Sequence, residues 1–79
     1  MNIYLLTQND NIGYDTYDGI VVIAKDEEQA RNIHPYEVWG GIGSDTWANS
    51  PNNVTAILVG RALENATAGI TILESFRAG

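Results

Sequence analysis

Two short apolar runs near the N-terminus constrain the fold more than any other feature of this chain. They are Ile3–Leu6 and Ile20–Ile23, and the second is β-branched throughout. Runs of this length and composition are typical of β-strands. The polar segment Asn9–Gly19 between them is longer than the roughly two to five residues that a simple hairpin needs. Because this segment carries two tyrosines and three aspartates, it suggests a surface that contacts something.

The length of the chain allows one small domain, residues 1–79, that lacks the usual covalent staples. A domain of this size buries roughly 60% of the surface of its unfolded chain, so its stability is marginal without further support. The chain has no cysteine, and His34 is its single histidine, which excludes disulfides, Cys-based zinc sites and His clusters. We therefore expect no metal or cofactor, and we predict self-association as the additional source of stability.

Ten acidic and four basic residues give the chain a net charge of −6. A nucleic-acid binder needs a basic face, and anionic membranes repel an acidic chain. The longest wholly apolar run, Ile20–Ala24, is far shorter than the roughly 20 residues that cross a bilayer, and the N-terminus lacks a signal-peptide pattern. We therefore predict a cytoplasmic protein that binds no nucleic-acid polymer and no membrane. A small phosphate ligand stays possible where arginines converge across subunits.

The hydrophobic and turn patterns predict a small α+β domain. Four strands are predicted, at Asn2–Gln8, Gly19–Ala24, Val54–Gly60 and Ile70–Phe76. A short helix is expected over residues 26–34, because Asp26 is a good N-cap and Pro35 stops a helix. The segment Tyr36–Asn53, rich in glycine and asparagine, predicts a long loop that also holds two tryptophans. The expected architecture is a mostly antiparallel sheet with one helix on one face.

Two of the predicted strands are apolar on both faces. A sheet with one solvated face alternates apolar and polar residues, whereas Ile20–Ala24 and Ala56–Val59 do not alternate. One short helix can cover only one face, and the tryptophan loop can cover part of the other. We therefore predict a homo-oligomer in which another copy covers the remainder. The alternative is a monomer covered by its own loop.

Tyr14 and Tyr17 are the first candidate ligand-binding residues, since phenols can stack on a ligand or hydrogen-bond to it. For each tyrosine taken singly, packing on the rim of the sheet is the favoured interpretation. The neighbouring aspartates then serve as turn caps. Their spacing does not match an EF-hand calcium loop.

Trp39 and Trp47 flank the glycine-rich segment Gly40–Gly43 and are the next candidates. Aromatic rings beside flexible glycines can sandwich a nucleobase. The alternative is that both tryptophans form a small core beneath the loop. The glycine segment itself is interpreted as a turn, because no helix follows it that could present its N-terminus to a phosphate.

His34 and Arg61 complete the set of candidates. His34 precedes Pro35 at the predicted end of the helix, where the helix dipole favours a protonated imidazole. No nucleophile motif accompanies it, so we predict that the protein is not an enzyme. Arg61 and Arg77 end the third and fourth strands, and either could bind a phosphate bidentately or offset the acidic excess.

Three parts of the sequence carry a resemblance: Ile3–Asn9 with Gly13–Asp18, Val22–Ala24 with Glu28–Arg31 and Ile33–Pro35, and Ser75–Gly79. Together they resemble a widespread group of short phage and prophage proteins, over half of the chain. In that group the position of Arg77 is commonly Asn. Arg77 therefore departs from the pattern, and the resemblance implies no site at this residue.

The resemblance implies a phage counter-defence or take-over protein. Such proteins include the anti-CBASS sponges, compact oligomers that sequester cyclic dinucleotide signals without cleaving them. We therefore predict a homo-oligomeric protein of the host cytoplasm that binds a cyclic dinucleotide, with contacts from Tyr14, Tyr17, Trp39, Trp47, Arg61 and His34. The alternative is an acidic protein–protein inhibitor of a host defence or nucleic-acid-processing enzyme, similar to many anti-CRISPR proteins.

Overall fold

The computed structural model describes residues 1–36, 39–63, 65–69 and 71–77. Its regular elements are β1 (Asn2–Thr7), β2 (Thr16–Ala24), α1 (Glu27–Arg31), 3-10 turns at Ser44–Thr46 and Pro51–Asn53, β3 (Thr55–Arg61) and β4 (Thr71–Arg77). The predicted α+β fold is confirmed, and each predicted strand is present with ends shifted by a few residues. Ile70, predicted to begin the fourth strand, and Ala78 and Gly79 of the C-terminal motif lie outside the described residues.

The four strands form one antiparallel sheet in the order β3-β1-β2-β4. The two N-terminal strands are therefore central, and β3 and β4 lie on opposite edges and do not pair as a hairpin. Arg61 lies opposite Asn2 on one edge, whereas the backbone of Arg77 lies opposite Thr16 on the other edge. Within one chain these two arginines are thus held at opposite edges and opposite ends of the sheet.

Helix α1 is shorter than the sequence predicts. Asp26 caps it as expected, because its carboxylate accepts a hydrogen bond from the backbone N–H of Gln29 at 2.8 Å. The helix ends at Arg31, and Asn32 is its C-cap. The Asn32 side chain donates to the carbonyl of Glu28. The last turn includes backbone hydrogen bonds of the 3-10 type, between residues three apart. Side-chain competition at Asn32 therefore ends the helix before Pro35 can.

The core lies between one face of the sheet and the layer formed by α1 and the long loop. It consists of nine buried residues: Tyr4, Leu6, Ile20, Val22, Ala24, Ala30, Trp47, Ala48 and Val54. Central strands β1 and β2 contribute five of these residues, α1 contributes Ala30, and the loop contributes Trp47 and Ala48. Trp47 has the largest fully buried side chain. The long loop is thus a packed layer of the domain.

The other face of the sheet is apolar and carries no described element. Leu5 pairs with Val21 on one side and with Ile57 on the other, and Ile3 pairs with Ile23. Because cross-strand partners share a face, these five side chains form one surface, which we call the open face. Four of them are partly exposed and Ile57 is half-exposed. The loop that holds both tryptophans was expected to cover part of this face. It packs instead on the core side, where Trp47 and Ala48 are buried.

Candidate functional site

The polar segment between β1 and β2 is held to the long loop of the same chain. Buried Gln8 organises it: its amide N–H groups donate to the carbonyls of Asn11 and Tyr17, and its carbonyl accepts from the backbone N–H groups of Asp10 and Asn11. Asn11 then donates to the carbonyl of Trp47. Asp10 accepts from the Asn49 backbone at 2.8 Å and from the Asn53 side chain at 2.9 Å.

These bonds lower the pKa of the Asp10 carboxyl below its ordinary value of 3.8. The segment between β1 and β2 was expected to contact something because of its length. In the structure it contacts the long loop that precedes β3 in the same chain. Many of its polar groups serve the fold.

The two candidate tyrosines have different environments. Tyr14 is 80% exposed beside Asp15, which adopts a positive φ of 61° at the turn. Tyr17 packs against the edge of the core, and its ring lies 4.7 Å from that of Phe76. Tyr17 thus takes the rim-packing role favoured from the sequence, whereas Tyr14 presents its ring to solvent.

The two tryptophans separate into a core residue and a surface residue. Trp47 has no exposed surface, so its ring cannot stack on a ligand in this fold, and it takes the core role that the sequence left as its alternative. Trp39 is only partly buried, and its indole N–H donates to the carbonyl of Asn32 at 2.8 Å. This hydrogen bond anchors the indole beside the end of α1. Only Trp39 is positioned for ligand contact.

His34 is a buried neighbour of Trp39. The two rings meet edge to face with centroids 4.8 Å apart. The imidazole Nδ1 accepts from the backbone N–H of Tyr36 at 3.0 Å, and Nε2 lies 3.4 Å from the carbonyl of Ser44. Burial lowers the pKa of His34 below its ordinary value of 6.5, which outweighs the opposing effect of Ser44. The expected protonated imidazole at a helix C-terminus is wrong, because α1 ends at Arg31.

Arg61 is exposed at the end of edge strand β3, opposite Asn2. The tyrosines lie toward the other end of the sheet, where β1 ends and β2 begins. Of the six residues predicted from the sequence, the structure brings Trp39 and His34 into contact with each other. Trp47 lies in the core against which Trp39 packs, whereas the two tyrosines and Arg61 lie at opposite ends of the sheet.

A polar groove lies between the end of α1 and the Pro51–Asn53 turn. Its volume is about 570 Å³, which is within the range of small-molecule sites. The helix side contributes Glu28, Arg31 and Asn32, and the turn contributes Ser50, Pro51 and Asn52. Asn32 joins this groove to Trp39, because its backbone carbonyl accepts the indole N–H. The groove and Trp39 together are the candidate binding site.

Arg31 provides the positive charge of the groove. One guanidinium nitrogen, Nη2, pairs with the Glu27 carboxylate one turn earlier. Its Nε is buried and has no hydrogen-bond partner among the described residues. Because this nitrogen is enclosed by the protein, a ligand in the groove would contact the exposed part of the Arg31 side chain, which is 36% exposed. Arg31 was not among the binding residues predicted from the sequence.

The neutral groups of the groove supply both donors and acceptors. Ser50 caps the adjacent turn by accepting the backbone N–H of Asn52 at 3.3 Å. The Asn52 side chain is exposed. Amide side chains recognise the hydrogen-bonding edge of a nucleobase, and a carboxylate such as that of Glu28 accepts from exocyclic amines. No sequence signal pointed to this set, because residues 28–32 and 50–52 are about twenty residues apart along the chain.

A comparison with protein families, with curated proteins and with solved structures finds no match to this chain. In the part of the chain that the structure describes, no three histidine, cysteine, aspartate or glutamate side chains are grouped so as to hold a metal ion. None of the described helices is long and apolar enough to cross a membrane.

Proposed function

We propose that this protein is a phage counter-defence protein that binds a small signalling nucleotide in the groove and removes it from the host cytoplasm without cleaving it. The ligand class is the cyclic dinucleotides. The resemblance of the sequence to short phage proteins supports the biological setting. The observation that supports the ligand is Arg31, a partly exposed cationic side chain that lines a groove of about 570 Å³, in which the neighbouring Asn32 accepts the indole N–H of Trp39 through its backbone carbonyl.

Each group in the groove has a distinct role in this proposal. Arg31 binds a phosphate oxygen or a base carbonyl through its free N–H groups. Asn32 and Asn52 provide side-chain amides for a base edge, and Trp39 provides a ring on which the base stacks. His34 holds the Trp39 indole from its edge and acts as a positioning residue. None of these roles requires a nucleophile, so the bound ligand is released intact.

The test is isothermal titration of the protein against a panel of cyclic di- and trinucleotides. The proposal expects saturable heat with at least one of them, and chromatography of the ligand after release should show that it is intact. Because the groove is formed within one chain, the stoichiometry should be one ligand per chain. Recovery of a linear or otherwise cleaved product would contradict the proposal.

Arg31→Ala with Lys25→Ala as its control identifies the site. Both changes remove one positive charge from an exposed or half-exposed position, but only Arg31 lines the groove. Loss of a charged hydrogen bond predicts affinity about 10- to 100-fold weaker for Arg31→Ala. Lys25→Ala should keep wild-type affinity. The ion pair that Arg31→Ala also removes is exposed and adds about 0.3–0.5 kcal/mol, so folding should persist.

A panel that produces no heat would refute nucleotide sequestration. The alternative from the sequence, an acidic inhibitor of a host enzyme, then becomes the function to test. The exposed run Asp26–Glu28 at the start of α1 is the surface that favours it. Affinity capture from infected-host lysate with wild type and with an Asp26→Asn/Glu28→Gln variant would test that surface.

A further inference from the structure

The open face is an apolar surface of the described sheet, and the groove does not use it. Ile3, Leu5, Val21 and Ile23 are partly exposed, and Ile57 is 49% exposed at the β3 edge. In addition, Gly19 and Gly60 lie opposite Thr7 and Ile3 in the register, so this face has no large side chain at those positions. A contiguous apolar sheet face of this kind marks an interaction surface.

The distribution of charge favours a second copy of the chain as the occupant. The chain carries a net charge of −6, so two copies repel each other over most of their surface. None of the five side chains of the open face is charged; of the acidic residues in the strands, Asp18 lies at the register shift between Tyr17 and Gly19, and Glu74 lies opposite core residue Ile20. The open face is therefore the surface on which two copies approach with the least repulsion.

The size of the face is sufficient for a weak dimer. Four strands about 4.8 Å apart and six residues long cover a plane of about 20 by 20 Å, or about 400 Å² per copy. Two copies then cover about 800 Å² of planar area in total. The accessible surface that they bury is larger, because side chains project from the plane, and it approaches the roughly 1,200 Å² of the smaller specific interfaces. Interfaces at this low end of the size range belong to weak or transient associations.

We infer that two copies of this chain pack their open faces against each other around a two-fold axis, as the two sheets of a β-sandwich do. An isologous contact of this kind places identical apolar side chains in a shared layer about 10 Å thick. Helix α1 and the long loop lie on the other side of each sheet. Both grooves therefore face outward in the dimer, and dimerisation does not depend on the proposed ligand.

Sedimentation velocity from about 1 µM to 1 mM tests the dimer, over the concentrations at which weak associations form. The wild-type chain, of 8.6 kDa, should shift from monomer to dimer over this range. Val21→Lys places a charge at the centre of the open face and should leave a folded monomer at all concentrations. A wild-type chain that stays monomeric to 1 mM, or a Val21→Lys chain that still dimerises, overturns the inference.

Leu58→Lys is the control for a different mode of association, pairing of β3 edges. Leu58 lies opposite core residue Tyr4, yet its side chain is 58% exposed at the edge of the sheet. A lysine there blocks edge pairing but adds no charge to the open face. Face-to-face packing predicts that Leu58→Lys dimerises like wild type. Loss of the dimer in Leu58→Lys with its retention in Val21→Lys would replace the inference by edge pairing.

Val21→Thr covers the case in which Val21→Lys does not fold. Threonine keeps the β-branched shape, and each dimer then buries two added hydroxyls without planned partners. The dimer dissociation constant should rise at least about 10-fold, while far-ultraviolet circular dichroism and the fluorescence of buried Trp47 stay unchanged. An unchanged dissociation constant in this variant overturns the inference as well.

Discussion

Replacement of Trp47 by alanine tests the division of the two tryptophans between core and surface. Trp47 has no exposed surface and packs in the cluster that joins both central strands to the long loop. Truncation of a buried tryptophan to alanine costs about 3–5 kcal/mol. A domain of 79 residues has a total stability of roughly 4–12 kcal/mol, so the variant should lose at least about a quarter of its free energy of unfolding.

Trp47→Phe tests the same core assignment with a smaller change in the buried side chain. The smaller ring loses two buried carbons, at about 0.8 kcal/mol each. It also removes an indole N–H that is buried without a partner among the described residues, and this relieves a cost of about 1–3 kcal/mol. The two effects oppose each other, so Trp47→Phe should keep the free energy of unfolding within about 1.5 kcal/mol of wild type.

The assay is urea unfolding followed by far-ultraviolet circular dichroism at one protein concentration, because dimerisation makes the apparent stability depend on concentration. Trp39→Ala is the matched control: Trp39 is only partly buried, so its truncation should cost clearly less. A loss below about 1 kcal/mol for Trp47→Ala, or a loss no larger than that of Trp39→Ala, would refute the assignment of Trp47 to the core.

Three further predictions concern the loops. Because burial lowers the pKa of His34, the unfolded chain takes up a proton first. The free energy of unfolding should thus fall as the pH drops below 6.5, and His34→Gln should remove this loss between pH 7 and 5; equal slopes in both proteins would contradict it. Gly43 has a φ of +84°, and an added Cβ would clash with the Tyr36 ring, so Gly43→Ala should cost about 1–3 kcal/mol in urea unfolding, with Gly13→Ala, which meets no neighbour, as control. Asp10→Asn should lower the urea midpoint at pH 7, and this difference should shrink as the pH falls below 3.8 and through the lowered pKa of this carboxyl, because protonation removes the stabilisation; a midpoint difference that stays constant at low pH would exclude this cause.

Local signals predicted the regular elements of this fold. β-Branched runs identified the central strands, and the N-cap at Asp26 has the hydrogen bond that its residue type indicates. The absence of alternation in the second strand correctly indicated that both faces of the sheet are apolar, as Val22 on the core side and Val21 on the open face show. These features depend on side-chain shape and on hydrogen bonds between near neighbours, so they can be read without the tertiary structure.

Long-range packing decided the roles of the residues that could take part in function. Trp39 and Trp47 are equivalent in the sequence, and only the packing of the loop onto the sheet buries one and leaves the other beside the groove. In the sequence Arg31 is only a charged residue of a short helix. It lines a groove because the fold places the Pro51–Asn53 turn next to the helix. Composition and periodicity thus determined which segments become strands and helix, because those preferences are local. Only the tertiary structure decided which side chains meet, because a groove between distant segments forms when the whole chain packs.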